Sequence, residues 1–145
     1  RLFNIIGPNQ LSKFGMVVPR FIEAAINDED ILIHGDGSQS RSFTWVDDVV
    51  TYLIKLAELK AYGEIFNIGQ TEEITIKNLA ELIIEKSNSN SKIIYKSHEE
   101  VFGKSFEDPN RRTPGIEKIV EFTGIKPSKN IEFMVENIIN YKQNN

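Results

Sequence analysis

"HGDGSQSRSFTWVDDVV", residues 34–50, decides how the rest of this chain is read. Gly35 and Gly37 flank Asp36, and a Ser-Gln-Ser run then leads to Arg41. Ser42 to Trp45 reads as a short strand. Val46, Val49, Val50, Leu53 and Ala57 follow at helical spacing. Asp47 and Asp48 suit the positive end of that helix, and Thr44 or a neighbour is expected to cap it. The two glycines give the backbone freedom that other residues lack and let a ligand approach the main chain. Arginine carries a planar fork of donors that matches phosphate oxygens in pairs. Taken alone, the stretch fits either an anion site or a polar β-turn with a solvated arginine.

Working outward, "ILIH" (31–34) reads as a strand stopped by the glycine turn. Upstream, Leu2, Phe3, Ile5 and Ile6 form a short strand that ends at Gly7-Pro8, so Asn4 lies close to a strand end, where α/β sheets bind ligands. Val18, Phe21, Ile22 and Ala25 then mark a helix, with Pro19 tolerated in its first turn. Downstream, "EIFNIG" (64–69) predicts a strand, and Thr75 predicts an N-cap for a helix through Ile76, Leu79, Ala80 and Ile83. "KIIYK" (92–96) is a further strand. Residues 97–114 are polar and irregular. Ile116, Ile119 and Val120 give a short helix closed by Gly124, and Ile131, Met134, Val135 and Ile138 share one face of a last helix. Strands alternate with helices, so the class is α/β or α+β, with several strands short of partners. A strand at the first residues needs neighbours, so the numbering is expected to begin inside a larger protein.

The totals narrow the function. A chain of 145 residues is about one domain, and 40% apolar with 26% charged residues is an ordinary globular mixture. The net charge of -4 gives no case for nucleic acid. Cysteine is absent, which removes disulfides and thiolate metal sites. No run approaches the roughly 18 apolar residues of a membrane span and no signal peptide opens the chain, so a cytoplasmic location is expected. His34 and His98 form no metal-ligand spacing, and no metal is indicated. "FEDPNRR" (106–112) sets acids beside two arginines. Such a cluster suits a phosphate and sugar hydroxyls, or equally a surface ion-pair group worth little.

In this order, "RLFNIIGP", "GMVVPRFIEAAI", "ILIHGDGSQSRSFTWVDDVV", "EIFNIG", "ITIKNLAELI" and "EDPNRRTPGIEKI" resemble the C-terminal half of the extended short-chain dehydrogenase/reductase family. These are NAD-dependent epimerases, dehydratases and decarboxylases of nucleotide-sugars. The resemblance covers about residues 1 to 142 and is nearest to the UDP-glucose 4-epimerase type, with UDP-glucuronate decarboxylases next. It implies an α/β substrate-binding portion over 1–145 with a few strands of the parent sheet, and a Rossmann domain for NAD upstream of residue 1. The family's catalytic Tyr-x-x-x-Lys and its glycine-rich cofactor loop have no counterpart here, so no catalytic or cofactor-binding residue is expected in this chain, and the isolated chain is expected to be inactive.

The resemblance also implies a substrate site. Asn4 matches an asparagine that reaches the phosphate or sugar, and the main chain near Val17 one that touches the nucleoside. Leu32 and His34 match positions holding the uracil. Gln39 lies beside the arginine position, and Arg41 matches that diphosphate-gripping arginine itself. Asp108 matches a carboxylate near the ribose, and Arg112 a second phosphate-facing arginine. Departures are Ile6 where the family has Tyr, Asn9 where it has Arg, His34 where it often has Phe or Tyr, and Gly115 where it has Asp. The function expected is the substrate-binding half of a UDP-glucose 4-epimerase-like enzyme that takes a UDP-sugar and dimerises, if at all, as the full-length parent. The alternatives are a UDP-glucuronate decarboxylase or 4,6-dehydratase of the same family, or a stand-alone nucleotide-sugar-binding or interaction module without catalysis.

Overall fold

The computed structural model describes residues 1–14, 16–97 and 109–144. It is an α/β structure in which short strands feed directly into helices. β1 (Ile5–Ile6) leads through a 3-10 turn (Ser12–Phe14) to α1 (Val17–Ile26). β2 (Ile31–His34), β3 (Ser40–Ser42) and β4 (Thr44–Trp45) then precede α2 (Val46–Glu58). β5 (Glu73–Thr75) runs into α3 (Ile76–Ser87), followed by β6 (Ile93–Lys96), β7 (Arg111–Arg112), α4 (Glu117–Thr123) and α5 (Ile131–Gln143).

The pairing is mostly parallel. Ile5 and Ile6 register with Thr44 and Trp45, and β2 runs parallel to β6. β3 lies at the centre of a small mixed sheet, antiparallel to β5 and parallel to β7. The apolar spacings explain the helices. Val18, Phe21, Ile22 and Ala25 of α1 pack against Leu79, Ala80 and Ile83 of α3 and Val135, Ile138 and Ile139 of α5, over Ile31 and Ile33 of β2. A second cluster joins Val49 and Tyr52 of α2 to Phe66, Ile68, Ile116 and Ile119. The Tyr52 hydroxyl donates to the Ile125 carbonyl at 3.0 Å, tying α2 to the chain after α4.

Thr75 caps α3 as expected, its hydroxyl accepting from the Asn78 N–H at 3.1 Å. Gly124 closes α4 in the left-handed conformation. Two local expectations are corrected. Thr44 does not cap α2. Trp45 holds the cap position with no side-chain cap bond, because the Thr44 hydroxyl is spent elsewhere: it donates to the Phe3 carbonyl at 2.9 Å and accepts from the Gln70 N–H at 3.1 Å. Asp47 instead accepts from the Trp45 indole N–H at 2.9 Å. The strand expected over 64–69 reduces, among the described residues, to one parallel bridge, Leu2 to Ile68, flanked by bonds from the Phe3 N–H to the Ile68 carbonyl, from the Ile68 N–H to the Arg1 carbonyl and from the Arg1 amino group to the Phe66 carbonyl. The sequence reading also missed β5, whose pairing with β3 is a long-range contact that its Glu-Ile-Thr sequence does not announce.

Candidate functional site

The turn after β2 is built by its own side chains. Asp36 accepts from the Ser38 N–H at 2.9 Å and from the Ser38 hydroxyl, an Asx-type turn. Gly35 and Gly37 take φ of 79° and 76°, a region open to glycine at little cost. At Gly37 a Cβ would also sit 3.1 Å from Lys77 Cβ, because the Gly37 carbonyl receives the Lys77 N–H in the first turn of α3. The Gln39 amide closes the turn by donating to the His34 carbonyl at 2.9 Å. The chain thus leaves β2 and re-enters as β3 at a fixed angle, with Arg41 in its middle.

Arg41 is half-buried. Its Nη1 donates to the Ser40 carbonyl at 2.7 Å and to the Pro109 carbonyl at 2.8 Å, and the Ser40 N–H donates to the Asn110 carbonyl. These bonds hold the guanidinium against the strand that follows the polar segment. On the other side Asn4 stands in the left-handed region at φ 38°. Its Nδ2 donates to the Ser42 carbonyl at 2.8 Å, and its carbonyl accepts from the Thr44 N–H. With Nδ2 committed, Oδ1 is left as the acceptor of that side chain.

A cavity of about 300 Å³ lies between β1, the start of α1, the end of β2 and β3. Asn4, Val17, Leu32, His34, Gln39 and Arg41, all expected from the sequence, line it together. Of the remaining two, Arg112 is in parallel register with Arg41 on the adjacent strand. It lines an adjoining groove, which shares Asn4, Ile5, Ile6, Gln10 and Met16 with the cavity. Arg111, its neighbour, is held outward by Glu73, which accepts from the Arg111 Nε at 2.8 Å and from the Thr113 hydroxyl. This pairing raises the Arg111 pKa above its ordinary value, first through the hydrogen bond and then through the charge of Glu73. Asp108 and His98 lie outside the described residues.

The sequence reading missed Gln10, Met16, Arg20, Phe21, Phe43 and Ile76 as cavity residues. Arg20 and Phe21 were accessible in principle: they stand three and four residues after Val17 and so share its side of α1. Gln10 had no such signal. Its Nε2 donates to the Ile5 carbonyl at 3.0 Å, and among the described residues its buried Oε1 has no hydrogen-bond partner. That position depends on the turn after Gly7-Pro8, where Asn9 takes φ 66° and accepts from the Tyr141 hydroxyl of α5.

Comparisons with known proteins bear on the family and the fold. Residues 1–69 match the model of the NAD dependent epimerase/dehydratase family. That match runs from β1 through α2 and takes in nearly all of the cavity wall. It is 39% identical over 129 residues to a UDP-N-acetyl-alpha-D-glucosaminuronate decarboxylase of Bacillus cytotoxicus, covering 88% of this chain and 40% of that protein. Among solved structures it superposes on an epimerase from Methanothermobacter thermautotrophicus with a TM-score of 0.88 at 26% identity, covering 99% of this chain and 42% of the other. A UDP-glucose 4-epimerase from Thermotoga maritima, solved with UDP-glucose, gives 0.83 at 27%, covering 99% and 45%. The chain therefore spans about two-fifths of the length of these three proteins.

The described residues do not make a site for NAD. The strand-to-helix junctions from β4 to α2 and from β5 to α3 are direct, Trp45 to Val46 and Thr75 to Ile76, with no glycine loop to admit a pyrophosphate. Among the described residues no helix is long and apolar enough to cross a membrane.

Proposed function

We propose that this chain is the nucleotide-sugar-binding portion of an NAD-dependent enzyme that decarboxylates a UDP-linked uronic acid. The observation that carries this reading is the shared cavity: Asn4, Val17, Leu32, His34, Gln39 and Arg41, drawn from separate elements, line one space that is narrow, partly apolar and basic. In this reading Leu32 and His34 take the pyrimidine, the main chain near Val17 the nucleoside, and Arg41 the diphosphate. Asn4 offers its Oδ1 to a hydroxyl. Arg112, registered beside Arg41, faces the part of the ligand that extends into the adjoining groove, and Asp108 is kept as a ribose contact. Hydride transfer and NAD binding are assigned to a Rossmann domain outside residues 1–145, so this chain binds and orients but carries no proton or hydride step. The likeness to the decarboxylase at 39% identity favours decarboxylation over the UDP-glucose 4-epimerase reading, which rests on a likeness of 27%.

The binding claim is tested by calorimetric titration of the chain with UDP. Arg41→Ala is expected to weaken UDP by at least tenfold, since a hydrogen bond to a charged group contributes about 1.5–3 kcal/mol. Unchanged affinity would remove the site assignment. The reaction claim is tested on the protein that carries this chain together with an NAD-binding domain, offered UDP-glucuronate and UDP-N-acetylglucosaminuronate. Carbon dioxide release supports decarboxylation. Inversion at C4 without carbon dioxide supports the epimerase reading.

A further inference from the structure

Helix α2 is apolar on two sides. Val49 and Tyr52 are buried in the second core cluster, with Leu56 packed against it. Val46, Val50, Leu53, Ile54 and Ala57 share another side at helical spacing. Of these, Val50, Leu53 and Ile54 are 47, 50 and 57% exposed. A helix with apolar residues on both sides is one that is covered on both. The outer stripe begins beside a strand edge, since Val46 and the exposed Leu2 border the same groove. The Phe3 N–H and the Arg1 carbonyl bond to Ile68, so in this parallel register the N–H and carbonyl of Leu2 point the other way. Among the described residues neither group of Leu2 has a hydrogen-bond partner.

An open parallel edge next to an apolar helix face calls for an occupant with two features side by side: a strand to pair with and apolar side chains to pack. A folded α/β unit supplies both, whereas a lipid surface supplies no strand. Parallel strands also stand almost only in sheets whose faces are covered by helices. The chain covers 40, 42 and 45% of the three proteins compared above, which leaves more than half of each outside the match. We propose that the outer side of α2 and the Leu2 edge form one docking surface, and that its occupant is the NAD-binding domain, which adds a parallel strand beside Leu2 and lays an apolar helix on Val50, Leu53 and Ile54. This rests on the reading above for the identity of the occupant and extends it: the segment that brings Asn4, Ile5 and Ile6 to the cavity is continuous with the edge on which the cofactor domain pairs.

The sequence has no cysteine, so a single introduced thiol reports its own surroundings. Ile54→Cys on the outer stripe and Thr51→Cys on the polar side of α2 are made in the 145-residue chain and in the protein that carries this chain together with an NAD-binding domain. Maleimide labelling is followed by mass spectrometry of the α2 peptide. Thr51→Cys is expected to label at the same rate in both, and Ile54→Cys at least about tenfold more slowly in the longer protein, where labelling waits on local opening. Ile54→Lys should lower the thermal midpoint of the longer protein more than Thr51→Lys does, because it places a charge in an apolar contact. Equal labelling of Ile54→Cys in both proteins would overturn the inference, and NAD binding by the longer protein in the same preparation would leave the NAD reading standing. Slow labelling already in the 145-residue chain, relieved by dilution, would also overturn it, with a second copy as the occupant. Slow labelling in a longer protein that binds no NAD by calorimetry would overturn the identity of the occupant together with the NAD reading.

Discussion

Thr44 offers a sharp test of how the site is held. Its hydroxyl is fully buried and joins three segments: it donates to the Phe3 carbonyl and accepts from the Gln70 N–H, while its own N–H reaches the Asn4 carbonyl. Thr44→Val keeps the shape and removes the hydroxyl. A part-buried carbonyl and a part-buried N–H then lose this partner, at up to roughly 1–3 kcal/mol each, or about 2–6 kcal/mol together at most. Against a typical domain stability of about 5–15 kcal/mol that is a large loss. Thr44→Ser makes the complementary change. It keeps both bonds and loses one methyl, costing about 1 kcal/mol. The measurement is urea unfolding followed by the fluorescence of Trp45, the sole tryptophan, which is buried beside Thr44. The expected order of stability is wild type, then Ser, then Val. A Val variant as stable as wild type, or more stable than Ser, would refute the argument, because it would mean that methyl packing rather than the hydroxyl holds these segments.

Other outcomes follow from particular contacts. Gly7→Ala places a Cβ 2.6 Å from Val46 Cγ1, so the start of α2 must shift from β1, and a loss of about 1–3 kcal/mol is expected in the same unfolding assay. Tyr52→Phe removes the bond to the Ile125 carbonyl and should cost about 0.5–1.5 kcal/mol, read from the urea midpoint. Asp28 accepts from the Asn90 N–H and the Ser89 hydroxyl, which hold its pKa below the ordinary 3.8. Its contribution is therefore complete above that value and is lost as pH falls through the lowered one. Asp28→Asn should be less stable than wild type at neutral pH, and the gap should narrow in unfolding curves taken below about pH 4.

The cavity is formed by elements far apart in sequence, and this sets the limits of what a single chain of letters can convey. The spacing of Val18, Phe21, Ile22 and Ala25 specified α1 locally, because an amphipathic face needs only its own period. Thr75 specified the start of α3, since a cap bond spans three residues. The glycine turn and Arg41 were equally legible: positive φ and a guanidinium fork are properties of the residues themselves. Pairing of distant segments was not encoded in this way. The strand at 64–69 has the right residues, yet among the described residues it forms a single bridge, Leu2 to Ile68, because a strand needs a partner segment that only the fold supplies. Thr44 has the residue type of a cap, yet its hydroxyl is drawn to Phe3 and Gln70, groups that reach it only after folding.

The sequence by itself thus determined the helices, the turn and the residue types able to meet an anion, since each follows from torsional preference and periodicity within a few positions. Only the tertiary structure decided that Arg41 shares its cavity with Arg20 of α1 while Arg112 lies in the adjoining groove, and that Gln10 turns toward the same space. Which side chains share one wall depends on how α1 crosses β2 and β3, and that crossing is fixed by packing among buried residues far apart along the chain.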